Sequence, residues 1–541
     1  MTEIIIKNGT IYTMNPKLPK VSALAIMDGK FIHVGDDINT LKLTKKDSKI
    51  IDLKGRTITP SFIDFHVHAH DGARSKLYEI KIAAPNSLSD LVNKVETVCM
   101  NFISGKWIRI FTTNLLIAEE LKTDKARKAI AEVSPNNPTL INFMYHSIFA
   151  NELALKAAGL YHKKHKEKGI VCDPISEKPT GLLLEHAGSL IFKACPPFSN
   201  DQQINAARES AEIFNSQGVT GFQHAVTSET QLIAYQTLDK ADELSVRVSA
   251  CIARDTLVVP KEEGIGMEVA KRHDEYRSNR LRADGVKFFM DGIVPLQTAA
   301  MIDPYLVESK HCGDEAFTKA ELIENIIPYD KMGFSVKIHA VGDRAIRSCI
   351  DAIEEVRRVN GPGRPHSIAH LTYITQKDIA RLKSLNIVAD LCPPIWFFSD
   401  MIKKNEELLG KERAHRIFPI SDILKSGALA CAATDWPVLD IAPNPWFTIQ
   451  TMITRENPSD ATLGKLANDQ AITLEQALPL YTINPAKAMG WGDLTGSIEV
   501  GKSADFIILN QDPFKVPVKD LSETKTISTW FEGRKVFEIE K

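Results

Sequence analysis

Two histidines one residue apart, His66 and His68, close an apolar run that follows Thr59-Pro60: Ser61-Phe62-Ile63-Asp64-Phe65-His66-Val67-His68. Ile63, Phe65 and Val67 read as a buried strand. Side chains alternate along a strand, so His66 and His68 share one face. Two neutral imidazoles a few ångströms apart suit one borderline-soft cation such as Zn²⁺. Taken alone, the pair also reads as two polar residues at a strand end, and the residues farther along the chain favour the metal.

Four more residues of matching chemistry stand in or after apolar runs. Lys287 lies within Val286-Lys287-Phe288-Phe289-Met290-Asp291-Gly292. His339 ends Val336-Lys337-Ile338-His339, His370 ends Ser367-Ile368-Ala369-His370, and Asp435 comes after Ala432-Ala433-Thr434. Histidines supply neutral nitrogen ligands, and an aspartate can bind metal and take a proton from an attacking water. An ammonium at Lys287 would be repelled by a dication and poorly solvated. Carbamylation by CO₂ (N6-carboxylysine) would make it an anion with two oxygens, able to bridge two metals. Each residue has a plainer reading by itself: a hydrogen-bonded core histidine, an aspartate N-cap, a lysine paired with Asp291. Their order on successive strands favours one metal site.

The elements that would position these residues are short strands alternating with helical stretches, the pattern of parallel βαβ units. Strands are expected at Phe62–Val67, Thr220–His224, Val246–Cys251, Gly285–Met290, Ser335–His339, Ser367–Leu371, Ile387–Leu391 and Ala428–Ala433. Eight such units imply an α/β fold, a (β/α)₈ TIM barrel with its active site at the carboxyl ends of the strands. The first gap is too long for one crossover, so residues of about 72–205 are expected to form an insertion subdomain. Both termini are β-rich, with hairpin signals at Asn8-Gly9 and Asp28-Gly29. They read as one small β-domain (1–57 with 490–541) around a barrel of 58–489, or as two separate caps.

Composition narrows the class. With 66 Lys and Arg against 68 Asp and Glu, the 541 residues carry a net charge of −2, which argues against a nucleic-acid binder. No basic leader with a signal-length apolar segment after it opens the chain. No apolar run approaches the ~20 residues that span a bilayer. The 8 cysteines are scattered without CxxC pairs, which fits reduced thiols and a cytoplasmic location.

The chain resembles the amidohydrolase superfamily, in the YtcJ-like branch of metal-dependent hydrolases that includes N-substituted formamide deformylases. The likeness covers nearly the whole chain. It runs from Asn8-Gly9-Thr10-Ile11-Tyr12-Thr13-Met14-Asn15 and the Thr59–His68 segment through His146-Ser147 with Asn151, Gly181-Leu182-Leu183-Leu184-Glu185 and Gly218-Val219-Thr220-Gly221. It continues at Asp291-Gly292, His339-Ala340-Val341-Gly342-Asp343 and Thr434-Asp435-Trp436-Pro437-Val438. Thr482-Ile483-Asn484-Pro485-Ala486 and Gly496–Asp505 complete it. The resemblance implies a β-sandwich from both termini, a (β/α)₈ barrel, and one or two Zn²⁺ or other divalent transition-metal ions. The implied ligands are His66, His68, carbamylated Lys287, His339, His370 and Asp435. Asp435 would be the base and His339 an aid in polarising a carbonyl.

Some positions depart from that branch. Ala369 stands where a Glu often precedes the sixth-strand histidine, His224 replaces a more usual non-histidine, and His70 adds an imidazole. With His224, the aromatics Trp396-Phe397-Phe398 and Trp436 suggest contacts to an apolar substrate portion, or loop packing at the rim. The expected activity is hydrolysis of a non-peptide C–N bond. An ester or lactone passes through the same tetrahedral intermediate, and a non-catalytic regulatory or assembly protein on this scaffold is the other alternative. The expected partners are a small-molecule substrate and a second copy in a homodimer, without nucleic acid or membrane.

Overall fold

In the middle of the chain eight apolar runs form one parallel sheet. Phe62–Val67, Val219–Thr227, Arg247–Ala253, Leu281–Phe289, Ser335–Ala340, His366–His370, Ile387–Leu391 and Ala430–Ala432 pair successively in that order. The computed structural model describes residues 3–100, 102–143, 147–161, 169–255, 259–307, 310–438 and 442–540. Nearly every strand residue is buried, as a sheet covered on both faces requires. The covering helices show why they pack there. In Asp343–Asn360, Ala345, Ile346, Cys349, Ile350, Ile353 and Val356 recur at helical spacing and are buried.

Among the described residues no strand ladder joins the eighth strand to the first. The loop after the eighth strand closes that seam instead. The Asp435 N–H donates to the His66 carbonyl at 2.9 Å, and the His68 N–H donates to the Trp436 carbonyl at 2.8 Å. The Thr434 N–H and hydroxyl donate to buried Asp64, the hydroxyl at 2.7 Å. Burial pushes the Asp64 carboxyl up to about 7, against the pull of these donors. The hydrogen bonds that bridge the seam therefore also hold Asp435 in place.

Strands from both ends of the chain share a six-stranded sheet. Phe506–Leu509 runs antiparallel to Thr57–Pro60, which pairs with Thr10–Tyr12. A four-stranded sheet of Lys30–Gly35, Ala23–Met27, Ile4–Lys7 and Lys49–Asp52 buries Ile6, Leu24 and Phe31 against Phe506 and Trp530 of the other sheet.

Between the first two barrel strands the chain builds a six-stranded mixed sheet. It spans Ile80–Lys81 to Pro179–Leu184 and has its own core of Leu91, Ile110, Ile141 and Leu182. Asn151 caps the helix Glu152–Ala157 by accepting from the Ala154 N–H at 3.0 Å. His146, nearby in the sequence, lies outside the described residues. Among the described residues no helix is long and apolar enough to cross a membrane.

Candidate active site

His66 and His68 reach the mouth of the barrel together with Asp435. Asp435 Oδ1 lies 3.6 Å from His66 Nε2 and 3.5 Å from His68 Nε2. Their candidate ligand atoms all fall within 4.8 Å of one another, as do those of His370, Cys392 and Asp435. The His370 ring centroid is 5.2 Å from that of His66 and 4.6 Å from that of His339. The backbone bends sharply to present two of these groups: His370 has φ 72° and Asp435 φ 53°, both left-handed. Such conformations cost a non-glycine residue of order 1–3 kcal/mol and cluster at functional sites.

His66 is fully buried, and its tautomer is set from behind. Nδ1–H donates to Asp390 Oδ2 at 2.7 Å, which leaves the Nε2 lone pair facing the site. Burial, with Lys287 and Lys337 nearby, holds its pKa well below the usual imidazole range, so it is neutral, the ligating form. Asp390 Oδ2 also accepts from Lys337, whose ammonium donates again to the Phe65 carbonyl at 2.9 Å. Asp390 pairs in register with Ala369, so the carboxylate beside the sixth strand comes from the seventh. Sequence reasoning missed both Asp390 and Lys337. Their only local signal is a charged residue in an otherwise apolar strand, the same signal that singled out Lys287.

Lys287 is buried with Nζ 3.2 Å from His66 Nε2, and it pairs in register with Lys337. Burial first, then Lys337, lower its pKa to about 8. Asp291 is not its partner. That carboxylate accepts from the Ala300, Val341 and Gly342 N–H groups at 2.8, 3.0 and 2.9 Å. It thereby ties the loops after the fourth and fifth strands together. Gly342 is required there, because a Cβ would stand 2.0 Å from the Ala300 carbonyl oxygen. The loop after the fourth strand also orients His339, whose Nε2 lies 3.4 Å from the Gly292 carbonyl.

Beside these groups is a cavity of about 250 Å³, walled mostly by apolar side chains. His339, His370, Cys392 and Asp435 line one part. Val294, Ile395, Trp396 and Phe418 line another, and Thr113, Asn114 and Leu116 reach in from the 72–205 segment. Trp396 stacks on Phe418 with centroids 4.9 Å apart. A larger groove of about 610 Å³ lies beyond Tyr373 and Ile417 and holds none of the six ligand candidates.

Two expected substrate contacts are placed elsewhere. Trp436 packs edge-on to Phe214, centroids 5.7 Å apart, and over Gly72, where a Cβ would meet its ring at 2.4 Å. His224 is buried in the second strand, in register with Val67 of the first, and its Nε2 accepts from the His70 N–H at 3.3 Å. Burial lowers it to about 3, so it stays neutral there. Neither lines the cavity, because each is drawn into the packing behind the site.

A parallel barrel of this kind, with imidazoles and an aspartate converging at its carboxyl end, defines a class of metal-dependent hydrolases. The chain belongs to the Amidohydrolase family, which it matches over residues 49–537. It is 27% identical over 549 residues to the N-substituted formamide deformylase of Arthrobacter pascens, with 98% of each chain covered. It is 24% identical to the putative amidohydrolase YtcJ of Bacillus subtilis, again with 98% of each covered. Among solved structures, an uncharacterized metal-dependent hydrolase from Pyrococcus horikoshii superposes with a TM-score of 0.75. That pair is 26% identical, over 96% of this chain and 99% of the other.

Proposed function

We propose that this chain is a metal-dependent hydrolase of a non-peptide C–N bond, an amide or N-substituted formamide carrying a small apolar group. One observation carries the reading: the donor atoms of His66, His68 and Asp435 converge at the barrel mouth beside a largely apolar cavity. The donor set fits a divalent transition metal, most simply zinc, held by His66, His68, His339, His370, Asp435 and carboxylated Lys287. When bound, the metal supplies Lewis acidity that brings the pKa of water toward neutrality. Asp435 takes the proton of the attacking water and passes it to the leaving nitrogen. His339, on the cavity wall, would act on the carbonyl oxygen through the metal it helps to hold. The walls at Val294, Ile395 and Trp396 hold the apolar group and exclude water.

Lys287 is the residue suited to carboxylation. With a pKa near 8, an appreciable fraction is free amine, the form whose nitrogen bonds to CO₂ and loses a proton to solvent. We read residues 1–57 and 490–541 as one composite β-sandwich around the barrel, and the 72–205 segment as an insertion that roofs the cavity. The free thiols of all eight cysteines fit a reducing, cytoplasmic setting.

The test is metal analysis of the purified chain together with hydrolysis of a panel of amides, formamides, dipeptides and lactones. One to two equivalents of metal are expected, with turnover of neutral amides, and His66→Ala or His68→Ala should deplete the metal. Full activity after exhaustive chelation would refute the reading. Turnover of lactones alone would move the reaction to the ester class.

A further inference from the structure

The seventh strand, Ile387–Leu391, is followed by Cys392-Pro393-Pro394, and Cys392 is not among the six expected ligands. It is 4% exposed and lies on the cavity wall. Its sulfur belongs to two convergent groups, one with His370 and Asp435 and one with His66 and Asp390. Within each group the ligand atoms are all within 4.8 Å of one another. Cys251 and Cys431, also buried in the barrel, belong to no such group among the described residues.

Asp390, the carboxylate of the second group, is only partly satisfied. Asp390 Oδ2 is occupied by His66 and Lys337, but its other oxygen, Oδ1, is buried and accepts no hydrogen bond among the described residues. A buried carboxylate oxygen without a donor is costly, but this carboxylate is on the Nδ1 side of His66, so the two convergent groups at the Cys392 sulfur carry the inference.

We propose that Cys392 is a sulfur ligand of the metal site, joining His370 and Asp435 and giving an otherwise nitrogen-and-oxygen donor set one soft position. The inference rests on the metal site proposed under the previous heading. On binding, the sulfur–metal bond forms as the thiol proton leaves to solvent. A thiolate donor biases the site toward zinc and similarly soft ions over magnesium or manganese. The competing reading is a small apolar residue filling the barrel mouth, for which the sulfur is spectroscopically silent.

Cobalt(II) loaded into the metal-stripped full-length chain separates the two. A near-ultraviolet sulfur-to-cobalt charge-transfer band is expected in the native sequence. It should vanish in both Cys392→Ser and Cys392→Ala and persist in Cys312→Ser, which alters a thiol outside these groups. Cobalt affinity should fall at least about tenfold in the Cys392 variants, since even groups that only support a ligand are worth 10–100-fold. Cobalt bound by the native chain without the band would overturn the sulfur ligand and leave the histidine–aspartate site standing. A band that survives both Cys392 variants would do the same. Failure of the native chain to retain cobalt at all would overturn the metal reading, and this inference with it. Because the native spectrum alone can refute the idea, a variant that folds poorly does not shelter it.

Discussion

Asp390→Asn keeps the size of the side chain and removes its charge. Two buried groups depend on that charge: the Lys337 ammonium, and the His66 Nδ1–H at 2.7 Å. Lys337 is 1% exposed and has no other carboxylate partner among the described residues. Removing one member of such a buried pair typically costs about 3–5 kcal/mol, because the remaining charge is stranded. At about 2.1 cal/mol/K of unfolding entropy per residue, a chain of 541 residues melting as a unit has roughly 1.1 kcal/mol/K. A loss of about 4 kcal/mol then lowers the midpoint of the metal-free protein by roughly 4 °C. Separately, the carboxamide no longer fixes the His66 tautomer, and metal affinity should fall about 10–100-fold. Calorimetry of the stripped protein reads the first effect, and competition with a chelator of known affinity reads the second. Adding Lys337→Met to Asp390→Asn removes the stranded charge, so it should restore most of the melting temperature but not the metal affinity. Unchanged melting and unchanged metal affinity in Asp390→Asn would refute this account of the residue. Loss of affinity that the double variant also repairs would show that Asp390 acts on the fold alone.

Five further outcomes are expected. Asp435→Asn should lose roughly 10²–10⁴ in turnover, the scale of general-base catalysis, with the fold intact; near-normal turnover places the base elsewhere. Lys287→Ala should lose activity and at least one metal, and short carboxylic acids should restore part of both. In the native chain, reactivation by bicarbonate should slow as pH falls below about 8, where the amine that accepts CO₂ becomes protonated; a rate independent of pH there counts against the carbamate. The same shift bears on stability. The folded pKa lies below that of an unfolded lysine, so the metal-free, unmodified protein should gain stability as pH rises from about 8 toward the unfolded value, and denaturant titration across that window checks the sign. Gly72→Ala should push on the Trp436 ring, which stands 2.4 Å from where the added methyl would lie. It should cost about 1–3 kcal/mol by overpacking and weaken metal binding through the loop that carries Asp435, whereas unaltered stability would mean that Trp436 yields freely.

Local sequence sufficed for the eight strands and for the residue types at their ends. Runs such as Ile387–Leu391 and Phe62–Val67 are set by local apolar content, and the two-residue period of a strand fixes that His66 and His68 face the same way. Which strand lies across from which came from the tertiary fold. Asp390 and His66 are separated by 324 positions, and nothing local to either says that they meet. Ala369 read as a missing carboxylate, yet the pairing of the sixth and seventh strands places Asp390 beside it. Packing also drew Trp436 toward Gly72 and His224 toward His70, and it brought Thr113, Asn114 and Leu116 to the cavity from a segment with no visible tie to the site. The physical reason is one of range. Periodicity and propensity act over a few residues and choose the face a side chain occupies, whereas the closure of a barrel acts over hundreds and chooses what that face meets.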